Sequence, residues 1–277
     1  MAKHESRYLR VARLTYRLTQ QGLPLYRHAK SPHRYTWPQL AACVLLMFHL
    51  RLSYRDMEEW LLVSDPVCQV LGLQDIPDHS TLCRAFHKLT LAKLRILERH
   101  LLDQLQPVEE IIAVDSTGFR PDQASAYYDL RCGKSRREWI KGAYAVGASS
   151  QLILASRQGV DRTNDGALLN GLRREARHYA QAGWLLVADA GFDGKHVQEG
   201  DVIPPIRRHG QLVAPDRRAR ADLVSQARLD GAYGQRWKCE TVNSVIKRKF
   251  GDAVRSRKRS WQQREPIVRG LVYNLYT

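Results

Sequence analysis

Up to Gln106-Pro107 the apolar residues recur at helical spacing. Leu40, Val44, Met47 and Phe48 form one stripe, and Met57, Trp60 and Leu61 another. The segment Asp78-His79-Ser80-Thr81-Leu82 opens like a helix, with a polar cap ahead of Leu82 and Phe86. Several short helices with brief connections predict an all-helical region over residues 1–105. Beyond Pro107 the period changes. Ile111-Ile112-Ala113-Val114 is apolar at every position and ends at Asp115, and Leu185-Leu186-Val187-Ala188 does the same up to Asp189. Uninterrupted apolar runs of this length suit strands covered on both faces. Segments 144–149 and 152–156 read as paired strands, 167–182 as a helix, 202–206 as a short strand, and a long helix starts near Tyr233. Strands, helix, strand and helix in that order predict an α/β layer architecture over residues 106–277.

The bulk numbers narrow the function. The 277 residues suffice for one large domain or two small ones with a real core. With 44% hydrophobic and 26% charged residues the composition is ordinary, but the net charge of +16 is not. Such a field favours a polyanion, with nucleic acid first and an anionic membrane surface second; a merely soluble basic protein is the bland alternative. The longest apolar stretch, Leu40 to Leu50, is interrupted by His49 and falls short of the about 20 residues that a membrane span needs. The basic start, Met1 to Arg17, shows no apolar segment of a secretory leader, so the chain is expected to stay in the cytoplasm. Five scattered cysteines without a C-x-x-C pair read as reduced thiols filling the core, not as disulfides or a zinc site.

Two acids stand in equivalent places, each at the end of an apolar run. If the two strands are adjacent and parallel, both carboxylates emerge at the sheet edge where α/β folds usually bind ligands. Ser116-Thr117-Gly118 follows the first, and Ala190-Gly191-Phe192-Asp193-Gly194 the second, so a ligand can approach closely. A third acid lies in the segment that starts at Tyr233. At about 100° per residue, Tyr233, Arg236, Glu240 and Lys247 share one narrow helix face, with Val242, Val245 and Ile246 opposite. The plain structural alternative for that face is a solvated i,i+4 pair between Arg236 and Glu240. Three carboxylates suit hard cations such as Mg²⁺, which take oxygen ligands and tolerate substrate phosphates.

The spacing Y-(2)-R-(3)-E-(6)-K, met by Tyr233, Arg236, Glu240 and Lys247, resembles the signature around the third acid of DDE transposases of bacterial insertion sequences. Ala113-Val114-Asp115-Ser116-Thr117 resembles the family's first acid motif and Val187 to Asp193 its second. Ser53-Tyr54-Arg55, Pro77 to Leu82 and Tyr273-Asn274-Leu275 extend the resemblance over nearly the whole chain. It implies a ribonuclease H-like catalytic domain with Asp115, Asp189 and Glu240 holding two Mg²⁺ ions, Mn²⁺ being able to substitute. It also implies double-stranded DNA partners, namely the terminal inverted repeats and target DNA, and a homodimer or larger assembly on DNA at the bacterial nucleoid. Two departures stand out. The short interval from Asp189 to Glu240 leaves no room for the large β insertion of some relatives, which puts hairpin formation in doubt. Thr163-Asn164-Asp165 stands where many relatives show His-Asp, so Asn164 receives no catalytic role.

The basic residues complete the picture. Arg136, Arg137 and Lys141 follow the first acid within a run that also holds Arg131 and Lys134. Arg207, Arg208, Arg217, Arg218 and Arg220 precede the third acid, and Arg255, Arg257 and Lys258 follow it. Runs that recur around a phosphodiester site are read as tracking phosphates, together with Tyr233, Arg236 and Lys247. Trp139, Trp237 and Trp261 lie among them, read first as core packing and second as platforms for an exposed base. Arg84, on the helix over 80–88, is the candidate reader of a helix-turn-helix, with a dimerisation or packing role for the helical region as the alternative. A stand-alone nuclease without strand transfer and a catalytically silent DNA-binding descendant are the rival functions.

Overall fold

The structure is a computed structural model, and it describes residues 5–28, 30, 33–122, 131, 133, 139–160, 163–207, 212 and 214–277. The chain divides into two compact units, Met1–Leu105 with Leu271–Thr277, and Gln106–Gly270.

Among the described residues the first unit contains α1 (Arg7–Gly22), α2 (Trp37–Leu50), α3 (Tyr54–Leu62), α4 (Asp65–Leu71), α5 (His79–Lys88) and α6 (Leu91–Leu105), together with the end of a later helix. The apolar stripes meet in one core, where Ala42, Cys43, Leu46 and Met47 of α2 pack with Met57, Leu61, Leu71 and Leu82. Local chemistry sets the helix ends. Thr36 and Gln39 form a reciprocal capping box on α2, Ser53 and Asp56 another on α3, and the Asp78 carboxylate accepts from Thr81 N at the start of α5. The Glu58 carboxylate then fixes α5 against α3 by accepting from His79 N at 2.9 Å. Leu271–Thr277 groups with this unit although the sequence reading kept it with residues 106–270. The reason is local packing: the Tyr276 ring meets His49 at a tilt, centroids 6.1 Å apart, and lies under the Arg7 guanidinium.

The second unit is built on a mixed sheet. Its strands are β1 (Glu109–Pro121), β2 (Ile140–Gly147), β3 (Ile153–Val160), β4 (Ala180–Ala188) and β5 (Ala253–Val254). The order is β3-β2-β1-β4, with β5 pairing to the far end of β1. β1 runs antiparallel to β2 and parallel to β4. Its helices are α7 (Gly166–Ala176), α8 (Pro215–Leu229), α9 (Trp237–Phe250), α10 (Arg259–Gln262) and α11 (Arg264–Tyr276), the last crossing the division between units. Ile112, Ala113 and Val114 of β1 and Leu186, Val187 and Ala188 of β4 are all buried, as strands covered on both faces require.

Four sequence expectations are corrected. β1 does not stop at Asp115: it continues to Pro121 because Ser116 to Phe119 go on pairing with β2, and only the pairing with β4 ends at Val114. The helix read over 167–182 stops at Ala176. A 3₁₀ turn, Arg177–Tyr179, follows, and residues 180–182 already belong to β4. Residues 202–206 form no strand, only an isolated parallel bridge from Val202 to Val187. The helix expected from Tyr233 begins as a 3₁₀ turn, Tyr233–Arg236, and becomes α-helical at Trp237.

Beyond α9 a buried ion pair organises the backbone. Glu265 and Arg269 have side chains only 2% and 3% exposed and lie 3.1 Å apart. Glu265 also accepts from Arg255 N and Ser256 N, while Arg269 donates to the carbonyls of Phe250 and Ala253. The pair thereby fixes the start of the basic stretch that carries Arg255, Arg257 and Lys258. Glu265→Ala leaves Arg269 buried without its partner, so it should cost about 3–5 kcal/mol. A denaturant titration should show this as a much lower midpoint, and an unchanged midpoint would contradict the account.

Candidate active site

Parallel register brings the first two acids together. Val114 pairs with Ala188, so the next residues along each strand, Asp115 and Asp189, stand side by side. Asp115 is half-buried, and its Oδ2 accepts from Asn243 Nδ2 of α9 at 2.9 Å. Burial pushes its carboxyl up to about 6, and the charge of Asp189 adds to this. The Ser116 backbone N–H, the Asn243 amide and Arg236 oppose the shift. The Asp189 carboxylate accepts from Gly191 N at 2.9 Å and so caps the 3₁₀ turn Ala190–Phe192. A Cβ at Gly191 would stand 3.0 Å from Asp189 Oδ1 and 3.3 Å from Asp165 Oδ2, which accounts for glycine there.

The third acid comes from α9. Cys239, Val242 and Ile246 are fully buried and seat the helix in the core, while Glu240 on the first turn is exposed. Its carboxylate is held by Arg236 at 2.6 Å, the i,i+4 pair that the sequence offered as the plain alternative. Arg236 also feels the charge of Asp115, so one guanidinium serves two of the three acids. Lys247 sets its ammonium 6.0 Å from the centre of the Phe119 ring, and the Arg228 guanidinium lies 5.2 Å from that of Tyr233.

The other candidates are scattered. Lys141 on β2 is largely enclosed, with Nζ donating to Asp165 Oδ1 and to the Thr163 carbonyl, both at 2.8 Å. Arg255, Arg257 and Lys258 are exposed, Lys258 lying over Trp261. Arg84 is exposed on α5 and donates to Thr81 Oγ1 at 3.0 Å. Arg136 and Arg137, with Lys134 and Arg208, lie outside the described residues. Arg217 and Arg220 are engaged with the buried Asp193 carboxylate, at 3.2 and 2.8 Å, and Arg218 with the Leu212 carbonyl. Arg217 and Arg220 therefore brace the loop after Asp189. Trp139 and Trp237 are half-exposed, against the core packing expected of them, because one lies across Gly118 on β1 and the other under Lys238 at the start of α9.

Sequence reasoning missed Asn243 and Asp165. Asn243 had a signal, since it is a polar residue between Val242 and Ile246 on the buried face of α9. Asp165 had only its place beside a motif departure. The structure brings it to Ser116 Oγ, at 2.7 Å, as well as to Lys141.

The family model for the transposase DDE domain matches residues 106–275. The chain belongs to the DDE transposase family. Comparison with curated proteins and with solved structures gives no match. The protein is a transposase, and the positive charge of +16 suits its DNA partner. Among the described residues no helix is long and apolar enough to cross a membrane. DDE transposases use divalent metal ions, and the residues here fit one. Two carboxylates meet in a half-buried position, and Asn243 Oδ1 beside them is buried without a hydrogen-bond partner among the described residues. Among those residues no three His, Cys, Asp or Glu side chains are yet grouped to hold an ion; the Glu240 carboxylate is held by Arg236.

A carboxyl that is easier to protonate when folded contributes stability at low pH and gives it up as pH rises through its folded value. For Asp115 that value is about 6. In metal-free buffer the melting temperature of the wild-type transposase should therefore fall, relative to Asp115→Asn, between about pH 4 and about pH 7 and stay level above that. Parallel melting curves for the two proteins across this range would contradict the assignment.

Proposed function

We propose that this transposase binds the terminal inverted repeats of its own insertion sequence, cuts there by metal-assisted hydrolysis, and joins the freed 3′-hydroxyl ends to target DNA. The observation that carries the reading is the adjacency of Asp115 and Asp189 on parallel strands, with Glu240 presented by a helix of the same unit. A sheet in which β1 pairs antiparallel with β2 and parallel with β4 supports a ribonuclease H-like catalytic domain in residues 106–277. The helical region, residues 1–105, is assigned to end recognition or dimerisation, with α5 and Arg84 as its reading element.

Asp115, Asp189 and Glu240 would hold Mg²⁺ or Mn²⁺. When bound, the cation supplies charge for the phosphate and lowers the proton affinity of the attacking oxygen. The protein's own groups do the rest. Arg236 has two donors with which to grip a phosphate beside the acids, and Lys247 adds a point charge on the same helix. Engagement of Arg236 by DNA frees the Glu240 carboxylate, so substrate binding and completion of the acid triad are linked. Asn243 keeps the Asp115 carboxylate turned toward α9. The exposed Arg255, Arg257 and Lys258 follow on a backbone fixed by Glu265 and take the flanking phosphates.

Asp115→Asn, Asp189→Asn and Glu240→Gln should each cut cleavage and joining of flanking-end DNA by about 100-fold or more while end binding survives. Chelator should abolish both steps, and Mg²⁺ or Mn²⁺ should restore them. Near-native strand transfer by any of the three variants removes that residue from the triad, and cutting without joining would make the protein a nuclease.

Arg236→Ala and Lys247→Ala should slow cleavage by about tenfold or more. They should weaken end binding only modestly and flatten its salt dependence by about one phosphate. Were Arg236 only a helix-stabilising partner of Glu240, its loss would lower the melting temperature and leave cleavage at low temperature native.

A further inference from the structure

Successive residues of a strand face opposite sides of the sheet. Asp115 meets Asn243 of α9, and Ser116 meets Asp165 at the start of α7. Asp165 therefore belongs to a second polar cluster, on the reverse face of β1 at the level of the acids. An aspartate just ahead of a helix usually caps it. Asp165 makes no side-chain cap hydrogen bond, and the open Gly166 N–H is taken by Asn164 Oδ1 at 2.8 Å. With capping handed to Asn164, the Asp165 carboxylate turns inward and accepts from Ser116 Oγ at 2.7 Å and Lys141 Nζ at 2.8 Å.

This arrangement touches the second acid as well. Asp165 Oδ2 and Asp189 Oδ1 both border the space beside Gly191, so closely that a methyl group there would stand 3.3 Å and 3.0 Å from them. Gly166, next to Asp165, lies against the Phe192 and Asp193 carbonyls, where a Cβ would stand 3.3 and 3.7 Å from their oxygens. One carboxylate thus joins β1, β2 and the start of α7, and borders the loop that carries Asp189. The Lys141 and Asp165 side chains are only 21% and 23% exposed. An enclosed ion pair of this kind is poor evidence for a role in stability, because desolvation offsets much of the attraction.

We propose that Asp165 is a positioning residue for the transposase reaction: tied to Ser116 and Lys141, and filling the space beside Gly191, it holds the 189–193 loop in register with β1. The proposal rests on the reading of Asp115 and Asp189 as catalytic acids, and its test includes a measurement that does not. Asp165→Asn keeps an oxygen for Ser116 but removes the charge that holds Lys141, Asp165→Ala removes both, and Asp165→Glu restores the charge. Leu172→Val, in the buried face of α7, loosens the helix without touching the cluster. Cleavage of duplex DNA carrying the sequences that flank the gene is measured at saturating DNA, beside DNA affinity, melting temperature and amide hydrogen exchange.

Asp165→Asn and Asp165→Ala should lower the cleavage rate by about tenfold or more with DNA affinity within about threefold, since small misplacement of reacting groups is costly. Exchange over 188–193 should accelerate in both, Asp165→Glu should recover part of each effect, and Leu172→Val should do neither. The proposal is overturned if 188–193 exchanges at the wild-type rate in Asp165→Ala. It is equally overturned if Asp165→Asn slows cleavage no more than a Leu172→Val protein of the same melting temperature. Should the wild-type chain cut no flanking DNA, the proposed end cleavage fails by itself, and exchange over 188–193 alone decides the role of Asp165.

Discussion

The parallel ladder between β1 and β4 is the constraint on which the rest of the second unit depends. A ladder fixes neighbours residue by residue, and its register cannot slip by one position without turning every buried side chain to the other face. Here the buried runs Ile112 to Val114 and Leu186 to Ala188 lock that register. Two carboxylates are consequently forced together at the point where the ladder ends. Their mutual repulsion and the partial burial of Asp115 make the position costly for the protein alone, and hydrophobic pairing of the strands holds them there against that cost.

Around this point the protein arranges counter-charges on separate elements. Arg236 precedes α9, pairs with Glu240 and adds its positive charge to the field at Asp115; Lys141 arrives from β2 and is met by Asp165. Arg217 and Arg220 of α8 close on Asp193, a few residues past the second acid. Much of the basic charge that sequence alone would assign to DNA is therefore already engaged within the protein. Arg255, Arg257 and Lys258 are exposed and follow backbone that a buried Glu265–Arg269 pair fixes.

The sequence was most legible where periodicity was strong and caps were local. The apolar runs announced β1 and β4, the Asp78 cap announced α5, and the paired strands between the acids were found, although β2 starts at Ile140 rather than 144 and β3 runs to Val160 rather than 156. It was least legible where chain ends and long-range partners decide. Nothing local shows that Ser116 to Phe119 keep pairing with β2 after β4 has finished, or that residues 180–182 leave helical structure for the sheet. The aromatic residues mislead in the same way. Trp139 and Trp237 have the composition of core residues, yet each sits where a strand or helix begins and has only one covered side.

The sequence by itself determined the two-part pattern of helical region and α/β layer, the positive field, and the positions of the three acids. Those features depend on residue type and spacing within single segments, where burial and helix geometry act locally. Tertiary structure decided which charges face one another. It committed Lys141 to Asp165, spent Arg217 and Arg220 on Asp193, and brought Asn243 to Asp115. The physical reason is that a charged side chain has several possible partners. Its choice among them is set by the distances that folding creates between residues far apart in the chain, and spacing along the sequence carries no record of those distances.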